Sequence, residues 1–163
     1  MVLRTLLCAT ALAVVLPAAA DAGLPANAQT AGLQVALRAK HVYTGSVDAI
    51  RGPATAKAVR VFQVRAGLTA DGVAGRQTRA ALGPLGRPLF GNRTIVRGDV
   101  GWDVSVLQFL LRRAGYKSGA VDGTFGARTE AAVRSYQRSL GLHVDGIVGR
   151  GTIAAFSLRY RVP

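Results

Sequence analysis

Residues 33–82 repeat as residues 107–156, at a constant offset of 74 and without a gap. Leu33-Gln34 aligns with Leu107-Gln108, Ala58-Val59-Arg60 with Ala132-Val133-Arg134, and Asp71-Gly72 with Asp145-Gly146. Of the 50 paired positions, 22 are identical. A repeat of this period constrains the fold before any other feature does. Each copy is small, near the limit for a lone hydrophobic core. Either the copies pack against one another, or each is a tight helical miniature. Gly83-Pro84, Gly86, Pro88 and Gly91-Asn92 punctuate the chain between them, and this density of turn formers reads as a linker.

Each copy carries the spacing of three helices. In copy two, Asp103 is placed to cap a helix with apolar positions Val104, Leu107, Leu110, Leu111 and Ala114, ended by Gly115. A second helix starts near Ala127, buries Ala132, Val133, Tyr136 and Leu140, and stops at Gly141. A third runs from about Arg150 to Leu158. Copy one predicts helices near 29–40, 53–66 and 76–82, with Pro53 at a first helical position. The expected fold is all-α: two tandem three-helix bundles joined by short Asp-Gly loops.

A finer repeat lies inside the larger one. The string Asp-x-x-x-Gly-x-x-Thr begins at Asp48, Asp71, Asp122 and Asp145 and ends at Thr55, Thr78, Thr129 and Thr152. Each string leads from a loop into a helix. With Asp99, Asp103 and Glu130, these aspartates are all the carboxylates beyond residue 22, so each is predicted at or near a helix N-terminus. Gln34, Gln63, Gln108 and Gln137 survive in paired positions, either as buried amides bonding loop backbone or as ligand contacts.

Residues 1–22 read as a signal peptide. Arg4 precedes an apolar stretch from Leu6 to Leu16, Pro17 breaks it, and Ala20-Asp21-Ala22 is a cleavage site of the A-x-A kind. Ala26-Asn27-Ala28 is a second such site. The apolar run is too short for an ordinary membrane span, so no stable insertion is expected after cleavage. The chain would then divide into 23–84 as repeat 1, 85–94 as linker and 95–163 as repeat 2. Cleavage removes the one cysteine, Cys8, so neither a disulfide nor a cysteine nucleophile is available afterwards. It removes one Arg and one Asp, and the net charge stays at +13.

Three runs of copy two resemble the type 1 peptidoglycan-binding domain family. They are Gly98-x-x-Gly101-x-x-Val104-x-x-Leu107-Gln108-x-x-Leu111; Val121-Asp122-Gly123-x-Phe125-Gly126-x-x-Thr129-x-x-Ala132-Val133-x-x-Tyr136-Gln137; and Gly141-Leu142-x-x-Asp145-Gly146-x-Val148-Gly149-x-x-Thr152. Copy one is similar through Leu33-Gln34, Phe62-Gln63 and Asp71-Gly72-x-x-Gly75. It has Ala49 and Arg51 where copy two has Gly123 and Phe125. The resemblance implies a small helical module found beside bacterial wall hydrolases and peptidases. Its implied role is non-covalent binding to the wall, without catalysis or cofactor.

The residues alone lead the same way. His41 and His143 have no second histidine at metal-ligand spacing, Glu130 is the lone glutamate, and no serine lies in a nucleophile elbow. No catalytic constellation or metal site can be assembled. Candidate ligand contacts in copy two are Asp122, Gly123, Phe125, Gly126, Asp145, Gly146, Gly149, Arg150, Trp102 and Tyr116. The counterparts in copy one are Asp71, Gly72, Gly75 and Arg76. Arg76 and Arg150 open their helices, where a carboxylate would meet both a guanidinium and free N–H groups. Trp102 and Tyr116 flank a helix and would either stack on a sugar or edge the core.

The expected protein is exported to the wall or the medium and binds peptidoglycan. Its basic charge also suits anionic wall polymers of the teichoic acid kind. The charge would suit nucleic acid too, but export argues against that partner. Two other readings are a wall-hydrolase targeting portion, whose catalytic domain is absent from this chain, and an interaction protein that binds a wall enzyme.

Overall fold

The computed structural model describes residues 27–160, so the predicted signal peptide lies outside the described residues. Six α-helices follow in order: α1 Ala28–Ala39, α2 Pro53–Arg65, α3 Arg76–Ala81, α4 Trp102–Arg113, α5 Ala127–Ser139 and α6 Arg150–Tyr160. No strands form among the described residues, only isolated bridges between Ile95 and Val148 and between Val100 and Thr124. The chain is all-helical and tandem, as its spacing predicts.

The two copies do not stand apart. In α1, Ala28 and every residue from Thr30 to Leu37 are buried, and α4 is covered almost as completely. A helix apolar on one stripe needs one neighbour; a helix buried on nearly every side must have them all round. The extra neighbour of each is the other: α1 packs on α4 and joins the copies. Trp102, the first residue of α4, lies over Gly32 of α1, where any Cβ would collide with its indole. Its Nε1–H donates to Gln29 Oε1 at 2.9 Å. One hydrophobic core runs through both copies, from Leu33 and Phe62 to Tyr136 and Phe156.

The linker reading needs correction. Residues 83–86 wind into a 3-10 turn, Gly83–Gly86, and Phe90 is buried with its ring edge-on to Phe156 at 6.1 Å. The Pro88 carbonyl accepts the Asp103 N–H at 3.1 Å. A segment rich in Gly and Pro is here a strap that closes the N-terminus of α4.

The aspartates also act differently from helix caps. The residues preceding α2, α3, α4 and α5 are Gly52, Gly75, Gly101 and Gly126, and none of them supplies a side-chain cap. Asp103 lies inside α4, fully buried, and binds Arg93 Nε at 2.7 Å; Arg93 also reaches Asp99 at 2.8 Å. These bonds hold the Arg93 guanidinium above its usual range, chiefly through Asp103.

Candidate functional site

Each Asp-x-x-x-Gly-x-x-Thr string is held by one of the paired glutamines. Gln108 Nε2 donates to Asp122 Oδ1 at 2.9 Å, to the Thr124 carbonyl at 3.0 Å and to Thr129 Oγ1 at 3.2 Å. Its Oε1 accepts the N–H groups of Asp122 and Gly123. Gln137 repeats this with Asp145, Ile147, Thr152 and the Gly146 N–H. Gln63 does so with Asp71, Val73, Thr78 and Gly72. Gln34 serves Asp48, Ile50, Thr55 and Ala49. Each aspartate in turn accepts the N–H of the residue two further on, at 2.7–2.9 Å. A buried amide thus replaces water for a whole loop, and no buried side-chain polar atom of these loops goes unpaired.

These bonds stabilise the charged carboxylates. Asp71 is held below its usual range by the Val73 N–H and then by Gln63. The Ile147 N–H does the same for Asp145, with help from Gln137 and His143 against a burial effect of opposite sign. At Asp48 burial pushes upward, but Gln34 and the Ile50 N–H together prevail and the carboxyl is lowered. Three of the four loop aspartates are therefore strong acceptors already committed within the protein, ill suited to general acid chemistry. Among the described residues, no group of three or more His, Cys, Asp or Glu side chains gathers that could hold a metal.

In copy two, residues 95–101 staple both loops together. Ile95 and Val148 exchange backbone bonds at 3.2 and 2.9 Å, Gly98 N–H donates to the Phe125 carbonyl, Phe125 N–H to Asp99, and Gly101 N–H to Gly123. Alternation along an extended segment then decides what faces outward. Ile95 and Val148 are fully buried, while Val96, at 40 % exposure, and Ile147, at 39 %, stand outward opposite each other. Val100, 45 % exposed, stands opposite exposed Thr124 in the second bridge. Arg97 flanks this strip, 3.4 Å from Glu130, and Glu130 is held down by Arg134 at 2.9 Å. Sequence reasoning missed Val96, Val100, Thr124 and Ile147; the alternation from Ile95 to Val96 was the available signal.

The predicted contacts divide into two sets. Asp122, Arg150, Asp71 and Arg76 are exposed; Gly126, Asp145, Gly149, Gly75 and Tyr116 are partly so. Trp102, at 4 % exposure, and Phe125, at 1 %, are not available to a sugar. Both are core residues, one sealing the two copies and one lying beneath the staple. Gly123 is buried under Leu85 and Ser105, Gly146 lies under Arg134, and Gly72 lies under Arg60; they shape the loops without offering a surface. Copy one keeps the loop backbone despite its changed residues. Ala49 occupies the left-handed region at φ 63, matching Gly123 at φ 81, and its N–H still reaches Gln34 at 2.9 Å.

A family model described as "Putative peptidoglycan binding domain" matches the chain twice, at residues 27–82 and 101–156. The chain is 43 % identical over 104 residues to the N-acetylmuramoyl-L-alanine amidase CwlM of Mycobacterium tuberculosis, covering 60 % of this chain and 25 % of that protein. It is 47 % identical over 64 residues to a spore cortex-lytic enzyme of Bacillus subtilis, covering 39 % and 21 %. The corresponding enzyme of Bacillus cereus is 46 % identical over 63 residues, covering 39 % and 24 %. The chain thus spans about a quarter or less of the curated relatives it matches. No solved structure matches.

Proposed function

The chain belongs to the peptidoglycan-binding domain family, in two tandem copies, and from that premise we propose that it is a non-catalytic protein that holds to bacterial peptidoglycan through the loop face of copy two. The observation that carries this reading is the stapled strip of Val96, Val100, Thr124 and Ile147, bordered by Arg97 and leading to Arg150 at the start of α6. Aliphatic side chains of this size fit the methyl groups of alanine. Guanidinium groups fit carboxylates, which the stem peptides carry in number. Trp102 and Phe125 are buried, so a stacking platform for sugar rings is missing from this face. The stem peptide is therefore favoured over the glycan.

Co-sedimentation with insoluble peptidoglycan, stripped of other wall polymers and run across a salt series, tests the reading. Retention should persist at high salt and fall in Ile147→Asp and in Arg150→Ala. Loss of all retention near physiological salt would reduce the interaction to net charge, and unchanged retention in both variants would place the contact elsewhere. Soluble stem peptide should compete; peptide-free glycan should not.

Export belongs to the same reading. Asn27 accepts the Gln29 N–H as the cap of α1, and Ala28 is buried. Cleavage after Ala28 would remove that cap, which favours cleavage at Ala20-Asp21-Ala22. N-terminal sequencing of exported protein checks this. A second reading, the targeting portion of a wall hydrolase, draws support from the relatives, an N-acetylmuramoyl-L-alanine amidase and spore cortex-lytic enzymes by name. On it, the purified chain alone should release no dye from labelled peptidoglycan.

A further inference from the structure

Copy two gathers cations where its helices end, in a region the loop face does not use. Arg112 and Lys117 line a shallow depression with Gly115, Tyr116 and Gly119. Tyr116 is half-buried, and its hydroxyl lies 2.6 Å from that of Ser139, the last residue of α5. Its ring meets Tyr136 edge-on at 5.5 Å; Tyr136 stacks on Phe156 at 4.1 Å, and Phe156 on Tyr160 at 6.4 Å. The Arg159 guanidinium lies 5.6 Å from the Tyr160 ring centre. Arg112 and Lys117 thus meet at Tyr116, one end of the aromatic row, with Arg113 next to Arg112 in α4 and Arg159 beside Tyr160 at the other end. None of them pairs with a carboxylate among the described residues, where the ion pairs involve Arg93, Arg97, Arg134 and His143.

The negative ends of helix dipoles favour a cation in a last turn. That explains one or two of these residues, but copy one shows that the scaffold does not need the set. At offset 74 the same fold has Ala39 for Arg113, Val42 for Tyr116 and Tyr43 for Lys117; Arg112 persists, as Arg38, and Arg159 lies beyond the repeat, on a helix longer than its counterpart α3. Arg112 and Lys117 share one depression without a counter-charge and repel one another, a cost that a bound polyanion would relieve.

We propose that this patch is a second binding site, taking the phosphodiester backbone of an anionic wall polymer. Guanidinium forks match phosphate oxygens, and several exposed cations retain a repeating anion far better than a single one. The half-buried Tyr116 adds an apolar edge and a hydroxyl for the polyol or sugar between phosphates. A single-stranded nucleic acid would call for a row of exposed aromatics on which bases stack, and here Tyr136 and Phe156 are covered. The choice of a wall polymer rests on the wall-binding reading above; the site itself does not.

The test uses the whole chain and purified poly(glycerol phosphate) in a titration at about 0.1 M salt. Arg112→Gln with Lys117→Gln is compared with Lys57→Gln plus Arg65→Gln, an equal charge change at exposed positions of copy one. The patch pair should weaken binding about tenfold and flatten its salt dependence, and the control pair should change it less than about twofold. Tyr116→Val, the copy-one residue, should weaken binding several-fold with no change in charge. Retention of the patch pair on stripped peptidoglycan should equal that of the unmodified chain, which separates this site from the loop face. The proposal is overturned by equal losses in both pairs, by no binding of the unmodified chain, by tighter binding of single-stranded DNA, or by loss of stripped-peptidoglycan retention in the patch pair.

Discussion

Four glutamines share with four aspartates the work of shaping the loops. The Asp strings are conspicuous in the chain, and helix capping is the ordinary use of Asp before a helix. Yet the residue that organises each loop lies 8 or 14 positions upstream, as Gln63 for Asp71 and Gln34 for Asp48. Its recurrence and a role on loop backbone were legible; the particular partners were not, because a contact across that separation depends on how the helices pack. Replacing Gln108 by Leu strands the buried Gly123 N–H and frees Asp122, and should cost roughly 2–3 kcal/mol in urea unfolding. Ala49 points the other way. It holds a left-handed conformation where copy two has glycine, so Ala49→Gly should raise stability by about 0.5–1 kcal/mol, read as a higher melting temperature. The aspartates add a pH dependence of definite sign. Asp48, Asp71 and Asp145 are lowered from 3.8, so the folded state binds their protons less readily than the unfolded chain. Their stabilisation is complete above about pH 4 and is lost as pH falls through the lower folded values. Melting temperature should stay flat from neutrality to about pH 4 and then fall, and a flat profile down to about pH 2 would refute the assignment.

At the level of elements, helix positions were readable to within a residue or two, since α2, α3, α4 and α5 each stop just before a glycine and α2 begins at a proline. The roles of the connecting segments were not. Gly and Pro announce a turn, but composition is silent on whether the turn then packs. So residues 83–94, read as linker, form the strap over α4, and residues 95–101, a short lead-in, become the staple of the loop face. Trp102 is undecided in the sequence for a related reason. An aromatic next to a helix start fits a sugar platform or a core edge equally well, and only the approach of α1 through Gly32 decides for the core. Truncating Trp102 to Ala removes that seal and should cost about 3–5 kcal/mol, with the loops of copy two otherwise intact. Arg93→Ala leaves Asp103 buried without its partner and should cost roughly 2–3 kcal/mol, measured the same way.

At the scale of the molecule, the repeat is a fused pair and not two beads on a string. The offset of 74 shows that the copies share a scaffold; it does not show that the first helix of each is the other's wall. Burial on nearly every side of α1 and α4 means that neither copy alone offers enough partners for its central helix. A fragment holding residues 85–163 would expose α4 residues that now face α1, along with Trp102, and has too few residues to compensate with a core of its own. The whole chain should therefore unfold in one cooperative transition, with calorimetric and van't Hoff enthalpies equal. The fragment should melt at least about 10 °C lower or fail to fold. Two transitions in the whole chain, or a fragment as stable as the parent, would mean that the copies are independent. Fusion has a consequence for binding too. Two sites on independent modules gain avidity by adjusting to the spacing of ligands, whereas two on one rigid body gain it only where that spacing fits. Lengthening the strap between Leu89 and Phe90 with glycine and serine should then lower stability without raising retention on the wall.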